Sequence, residues 1–147
     1  MEQAIKASYL TKFGPFVEWP ANSFGDAGTF AICLGGHDAF GTVLDEIARG
    51  QKVWGHVLQI RRLTEAGSPN GCNILVIGAG TPDSVLARIA GQPILTVTDK
   101  SDGIDGGMIR FTRQGGRVRF EIDNGAARAA RLVISSKLLG LAVTVTK

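Results

Sequence analysis

The residues able to do chemistry in this chain are few and poorly grouped. His37 and His56 are its only histidines. His37 precedes Asp38 at the carboxyl end of a short apolar stretch, where α/β proteins often place ligands. A catalytic histidine needs an orienting partner and a nucleophile within hydrogen-bond reach. No serine stands in a nucleophile-elbow motif, so capping or solvent exposure is the expected role of His37. Two histidines with Asp38 or Asp99 make a thin ligand set, and no metal site is expected. Gly78-Ala79-Gly80 follows an apolar stretch and invites a dinucleotide-binding reading. That fingerprint needs a third glycine, where this chain has Asp83, and an acid closing the next strand, which Asp99 supplies. A carboxylate at Asp83 would also oppose a pyrophosphate at the helix N-terminus. A plain strand-to-helix turn is the better reading, and no cofactor is expected.

Two other groups admit two readings each. Cys33 and Cys72 cannot build a tetrahedral metal site alone. In a reducing compartment they are small buried hydrophobes; in an oxidising one they can pair if their strands are neighbours. Trp19 and Trp54 stand beside turn-forming residues, Pro20 and Gly55. Core is the favoured place for both, a binding-surface anchor the other.

The elements that must position these residues alternate. Residues 2–18 have helical periodicity, with Ile5, Tyr9, Phe13 and Phe16 on one face and a break at Gly14-Pro15. Residues 29–34 read as a strand running into Gly35-Gly36. A helix follows, capped by Asp38 and stopped by Gly50. Residues 57–63 read as a half-exposed strand, and a Ser68-Pro69-Asn70-Gly71 turn leads to a fully buried strand over 72–77. Thr81-Pro82 opens a helix that Gly91 ends, and residues 94–98 form another buried strand. After a Gly-rich loop comes a hairpin turning at Gln114-Gly115-Gly116. Val118, Phe120 and Ile122 alternate there with Arg117, Arg119 and Glu121. This charged face, joined by Arg110 and Thr112, is either solvated with cross-strand ion pairs or a docking surface for an acidic partner. A helix near 125–131, an extended 132–134, a helix capped by Ser135 or Ser136 and a short strand over 143–147 close the chain. The pattern predicts one α/β domain over 1–147. It is a three-layer Rossmann-like sandwich, its mostly parallel sheet ending in an antiparallel hairpin.

Bulk properties narrow the function. A composition 44% apolar and 20% charged is that of a globular chain, and 20 glycines favour turns and short strands over a helical bundle. The net charge of +3 comes from scattered Lys and Arg, so nucleic acid is not an expected partner. No apolar run approaches the roughly 18–20 residues that span a bilayer, so no membrane insertion is expected. Residues 1–6 hold no export leader, which leaves a cytosolic protein or one whose leader is trimmed.

Several short motifs, in order, resemble the YfiR family of bacterial periplasmic proteins. They are Lys6-Ala7-Ser8-Tyr9-Leu10, Phe16-Val17-Glu18-Trp19-Pro20, Ile94-Leu95-Thr96-Val97 and Gly106-Gly107-Met108-Ile109. Arg117-Val118-Arg119-Phe120-Glu121-Ile122 and Ile134-Ser135-Ser136-Lys137-Leu138-Leu139 complete the set. The resemblance runs almost end to end. It implies export with a cleavable leader, a Cys33–Cys72 disulfide and no enzymatic activity. It also implies a regulator that represses a membrane-bound diguanylate cyclase by binding its periplasmic domain. Cyclic di-GMP and biofilm formation then fall. The sequence departs from the family at Gly14-Pro15, at Asp123, where Asn is usual, and at Arg131, where a helix-stopping Gly is frequent.

Two functions are therefore expected, and they can coexist. In the first, the periplasmic domain of a membrane cyclase or sensor kinase docks on Trp19, Arg119, Glu121 and Arg128, with a homodimer also open. In the second, a small-molecule sensor uses the crevice at the strand carboxyl ends, near Gly35, Gly36, His37, Gly78, Gly80 and Asp99.

Overall fold

A computed structural model describes residues 2–147 except 22, 25–27, 64–68, 70 and 105. Helix α1 (Glu2–Phe13) gives way at Gly14-Pro15 to one 3-10 turn, Gly14–Phe16. The expected break is thus a tightening rather than a kink. Pro15 fits the first turn of a helical segment, where its missing donor is not needed. A Cβ on Gly14 would lie 2.8 Å from Val53 Cγ1 and 3.0 Å from Phe30 Cζ, so only glycine lets this turn sit so deep. The buried face of α1 is Ala7, Leu10 and Phe13, with Tyr9 at its margin. Ile5, expected inside, is exposed. The small Ala7, not Ile5, marks where the helix approaches the sheet.

The chain continues through β1 (Val17–Glu18), β2 (Thr29–Gly35), α2 (Thr42–Ala48), β3 (Lys52–Val53), β4 (His56–Arg62), β5 (Ile74–Ile77) and α3 (Asp83–Ile89). Then follow β6 (Leu95–Asp99), β7 (Ile109–Gln114), β8 (Arg117–Asp123), α4 (Asn124–Ala129), β9 (Val133–Ile134), α5 (Ser136–Leu141) and β10 (Thr144–Thr146). One eight-stranded sheet has the order β10-β8-β7-β6-β5-β2-β4-β3. Strands β4, β2, β5, β6 and β7 are mutually parallel, while β3 and β8 run against their neighbours β4 and β7. This is the expected Rossmann-like layering. A small second sheet pairs β1 with β9, which the sequence pattern does not announce.

Alternation along the strands splits the interior. Phe30, Ile32, Ile74, Leu95, Val97, Ile109, Phe120 and Ile122 share one large cluster with α1, α2, α4 and α5. Ala31, Cys33, Cys72, Leu75 and Ile94 form a smaller one with Val85 of α3 on the other face. Asp123 accepts from the Ala126 N–H at 3.0 Å, a cap the sequence pattern does not announce, and one expected cap is realised, Ser135 accepting from the Leu138 N–H at 3.2 Å. Two expected caps are not. Asp38 closes a local turn, accepting from Phe40 and Gly41 before α2 begins, and the Thr81 hydroxyl donates back to the Gly78 carbonyl. Of the turn expected at 68–71, Ser68 and Asn70 lie outside the described residues. Cys72 N–H donates to the Pro69 carbonyl at 3.1 Å.

Cys33 and Cys72 are bonded, with Cα atoms 5.9 Å apart and a sequence separation of 39. The bridge joins β2 to the turn that enters β5. Next to it Asn73 is fully buried. Its Oδ1 accepts from the Ala31 N–H at 2.9 Å and its Nδ2 donates to the Ser23 carbonyl at 3.0 Å, so the side chain extends the β2–β5 ladder before β5 begins. Reduction should lower unfolding stability by about 2–4 kcal/mol, read from urea denaturation of oxidised and reduced protein. Arg131 holds a left-handed φ of 66 after α4, where a side chain is strained. Arg131→Gly should raise the urea midpoint, by about 1 kcal/mol of stability.

Candidate functional site

The crevice expected at the strand carboxyl ends exists, with a volume of about 200 Å³. Gly35, His37, Gly78 and Asp99 line it, together with Glu2, Lys6, Asp38, Thr98, Ser101, Asp102 and Phe111 among others. Gly36 and Gly80 belong to its two turns but not to its lining.

The glycines here serve backbone packing. A Cβ on Gly36 would lie 2.4 Å from the Ala79 carbonyl oxygen, and one on Gly78 would lie 2.7 Å from the carbonyl oxygens of Gly35 and His37. The two strand-to-helix turns therefore interlock. Their donors are consumed in doing so: His37 N–H donates to Ala79 at 2.7 Å, Gly78 N–H to Gly35 at 3.0 Å and Thr81 N–H to Gly78 at 3.2 Å. A phosphate cradle needs such N–H groups free. Carboxylates also dominate the lining, with Glu2, Asp38, Asp99 and Asp102 against Lys6. The dinucleotide reading fails on both counts, and the plain turn stands.

Three ion pairs, centred on Lys6 and Arg62, brace the rim. Lys6 of α1 hydrogen-bonds the Asp99 carboxylate at the end of β6, closing the helix over the crevice. Burial alone would push the Asp99 carboxyl up. Hydrogen bonds from Lys6 and from the Ser101 hydroxyl and N–H outweigh it and hold the group below the usual carboxylate range. On the other side Arg62 donates to Asp38 and to Asp45, at 2.7 Å each, and to the Gly41 carbonyl at 2.7 Å. Burial would raise Asp38 too, but the Arg62 guanidinium and the N–H groups of Phe40 and Gly41 lower it on balance. His37 is exposed, as expected, with no orienting acid or nucleophile in contact among the described residues.

The four residues expected to meet a partner are not brought together. Arg119 and Glu121 point to one face of β8. Glu121 faces Arg110 across the hairpin at 3.5 Å and pairs with Lys100 at 3.0 Å, so the cross-strand ion pair is realised. Arg119 donates to the Leu141 carbonyl at 3.4 Å, and Arg128 of α4 to the Lys147 carbonyl at 3.2 Å. Trp19 lies elsewhere, half-buried and edge-on to Phe30 at 5.2 Å. Trp54, favoured as core, is instead 54% exposed. Its place in a two-residue turn between β3 and β4 keeps the ring at the surface.

Asp99 yields a pH prediction. Its folded pKa is lowered, so its contribution is whole above the ordinary carboxyl value near ~3.9 and is lost as pH falls through the lower folded value. Asp99→Asn should be less stable than the wild type at pH 7. The two urea midpoints should converge in acid, as pH falls through the lowered folded value.

The profile of the family described as YfiR/HmsC-like matches residues 3–143. No curated protein matches the chain significantly. The family is one of periplasmic regulators, and the disulfide fits an oxidising compartment. No helix among the described residues is long and apolar enough to cross a membrane. Match and fold agree over nearly the whole chain, and this protein belongs to the YfiR/HmsC-like family.

Proposed function

We propose that this protein binds the extracytoplasmic domain of a membrane diguanylate cyclase and holds it inactive, lowering cyclic di-GMP and biofilm formation. The family match over residues 3–143 carries this reading. The crevice's turn donors are spent on each other, which argues against a phosphate-bearing cofactor there. Repression needs no covalent chemistry. A partner moves from 1:99 to 99:1 in favour of its inactive state when that state is bound tighter by about 5.5 kcal/mol. The contact falls on the charged face of β8, where Arg119 and Glu121 present polar groups, with Arg128 of α4 and Trp19 as separate contacts.

The test is calorimetric binding to the periplasmic domain of the membrane cyclase, or sensor kinase, encoded beside this gene. Oxidised protein should bind, and reduction should weaken it. Arg119→Ala should weaken binding about tenfold, one rim-to-core charge contact, while leaving the urea midpoint nearly unchanged. Unaltered affinity in an Arg119→Ala, Arg128→Ala double variant would exclude this face; no binding in either redox state would exclude the partner.

A second reading has one observation in its favour. The crevice of about 200 Å³ carries Lys6, His37 and Asp99 at its wall and suits a small polar ligand that tunes the regulator. A thermal-shift screen of amino acids, nucleotides and vitamins tests it, and the absence of any stabiliser would remove it.

A further inference from the structure

At the opposite edge of the sheet lies a second cleft, of about 240 Å³, lined by Glu18, Trp19, Phe24 and Trp54. Among the described residues that line it, three are aromatic and the fourth, Glu18, carries a carboxylate. Both indole N–H groups are engaged inward. Trp19 Nε1 donates to the Gly14 carbonyl at 3.2 Å, while Trp54 Nε1 donates to Gly14 at 3.1 Å and to Val17 at 3.0 Å. Neither ring has a donor left for a ligand. What the tryptophans offer is ring surface, fixed in place by the 3-10 turn. Phe24 is braced from its side by His56, stacked at 4.1 Å.

The backbone adds an independent observation. Val53 pairs with His56, so Trp54-Gly55 is a two-residue hairpin turn. Both residues have positive φ, 52 and 81, as a type I′ turn demands. Asn-Gly is the sequence that suits this turn. A bulky aromatic residue at positive φ is an outlier that the local fold does not favour. Trp54 stands there half-exposed, in a position where its ring walls the cleft. Glu18 is exposed and makes no ion pair among the described residues.

Aromatic faces with one uncompensated carboxylate make a cation site. The ring quadrupoles attract a positive charge, and the acid adds a Coulombic term that a neutral ligand cannot collect. The volume lies below the roughly 300–1,000 Å³ of pockets that enclose a whole drug-sized ligand, so it fits a headgroup. We propose that the cleft of Trp19, Phe24, Trp54 and Glu18 binds an organic cation, as a methylated ammonium or a guanidinium group. The site stands apart from the charged face of β8; it shares Trp19 with the proposed partner contact, but its test uses small cations alone and does not depend on the cyclase reading.

The test uses the folded, oxidised protein. The chain's only tryptophans both line the cleft, so intrinsic fluorescence reports it directly. Choline, N-acetyl-arginine amide and the neutral choline isostere 3,3-dimethyl-1-butanol are titrated at constant ionic strength. At least one cation should give a saturable change, with the isostere about tenfold weaker. Choline binding assigns the site to free methylated ammonium compounds; binding of the arginine amide alone assigns it to a side chain of a polypeptide. Glu18→Gln, at an exposed position, should fold normally and lose several-fold in cation affinity without changing the response to the isostere. Trp54→Asn, which suits the turn, should abolish the response. An equal response to cation and isostere, no saturation by either cation, or unchanged affinity in Glu18→Gln overturns the proposal.

Discussion

The pairing of β2 with β5 is the constraint on which the rest of the molecule depends. These strands lie in the interior of the eight-stranded sheet, and each turns into a helix at one end of it. Register errors here would move Phe30, Ile32, Ile74 and Leu75 to the wrong faces, because strand side chains alternate with a period of two. The disulfide and the Asn73 side chain fix that register from the same end of the ladder. The covalent link restricts the unfolded chain, while the amide satisfies backbone groups that would otherwise be buried without partners.

The far end of the same two strands shows why the crevice is what it is. The β2 and β5 turns approach so closely that Gly36 and Gly78 have backbone oxygens where side chains would go. That contact stiffens the end of the sheet and spends its N–H groups. The remaining character is acidic and braced by Lys6 and Arg62. A fold that often hosts nucleotides here closes its strand-end turns on each other.

Much of this was legible in the residues, and the gaps have physical causes. The strand–helix alternation, the hairpin and the cap at Ser135 follow from local patterns, and the Arg110–Glu121 pair follows from alternation across a two-residue turn. The Cys33–Cys72 bond came from family resemblance, since spacing alone does not say which strands adjoin. The β1–β9 pair was not legible, because two-residue strands carry no periodicity and their partner is distant in the chain. Lys6 escaped notice as the partner of Asp99 for the same reason: one sits in the first helix, the other at the end of a strand far along the sequence. Trp54 was misjudged because size and apolarity outweighed its position. The signal was present in Trp54-Gly55, a glycine-containing pair between short extended stretches.

The disulfide lies under α3, with Cys33 0% and Cys72 4% exposed. With that helix docked, oxidants and reductants reach the sulfurs only slowly. Thiol oxidation is therefore easiest before the smaller core closes, and the two cysteines have a single intramolecular pairing to make. In the folded protein the bridge is shielded from brief redox fluctuations of its surroundings, and its full reduction takes a sustained reductant or a transient opening of α3.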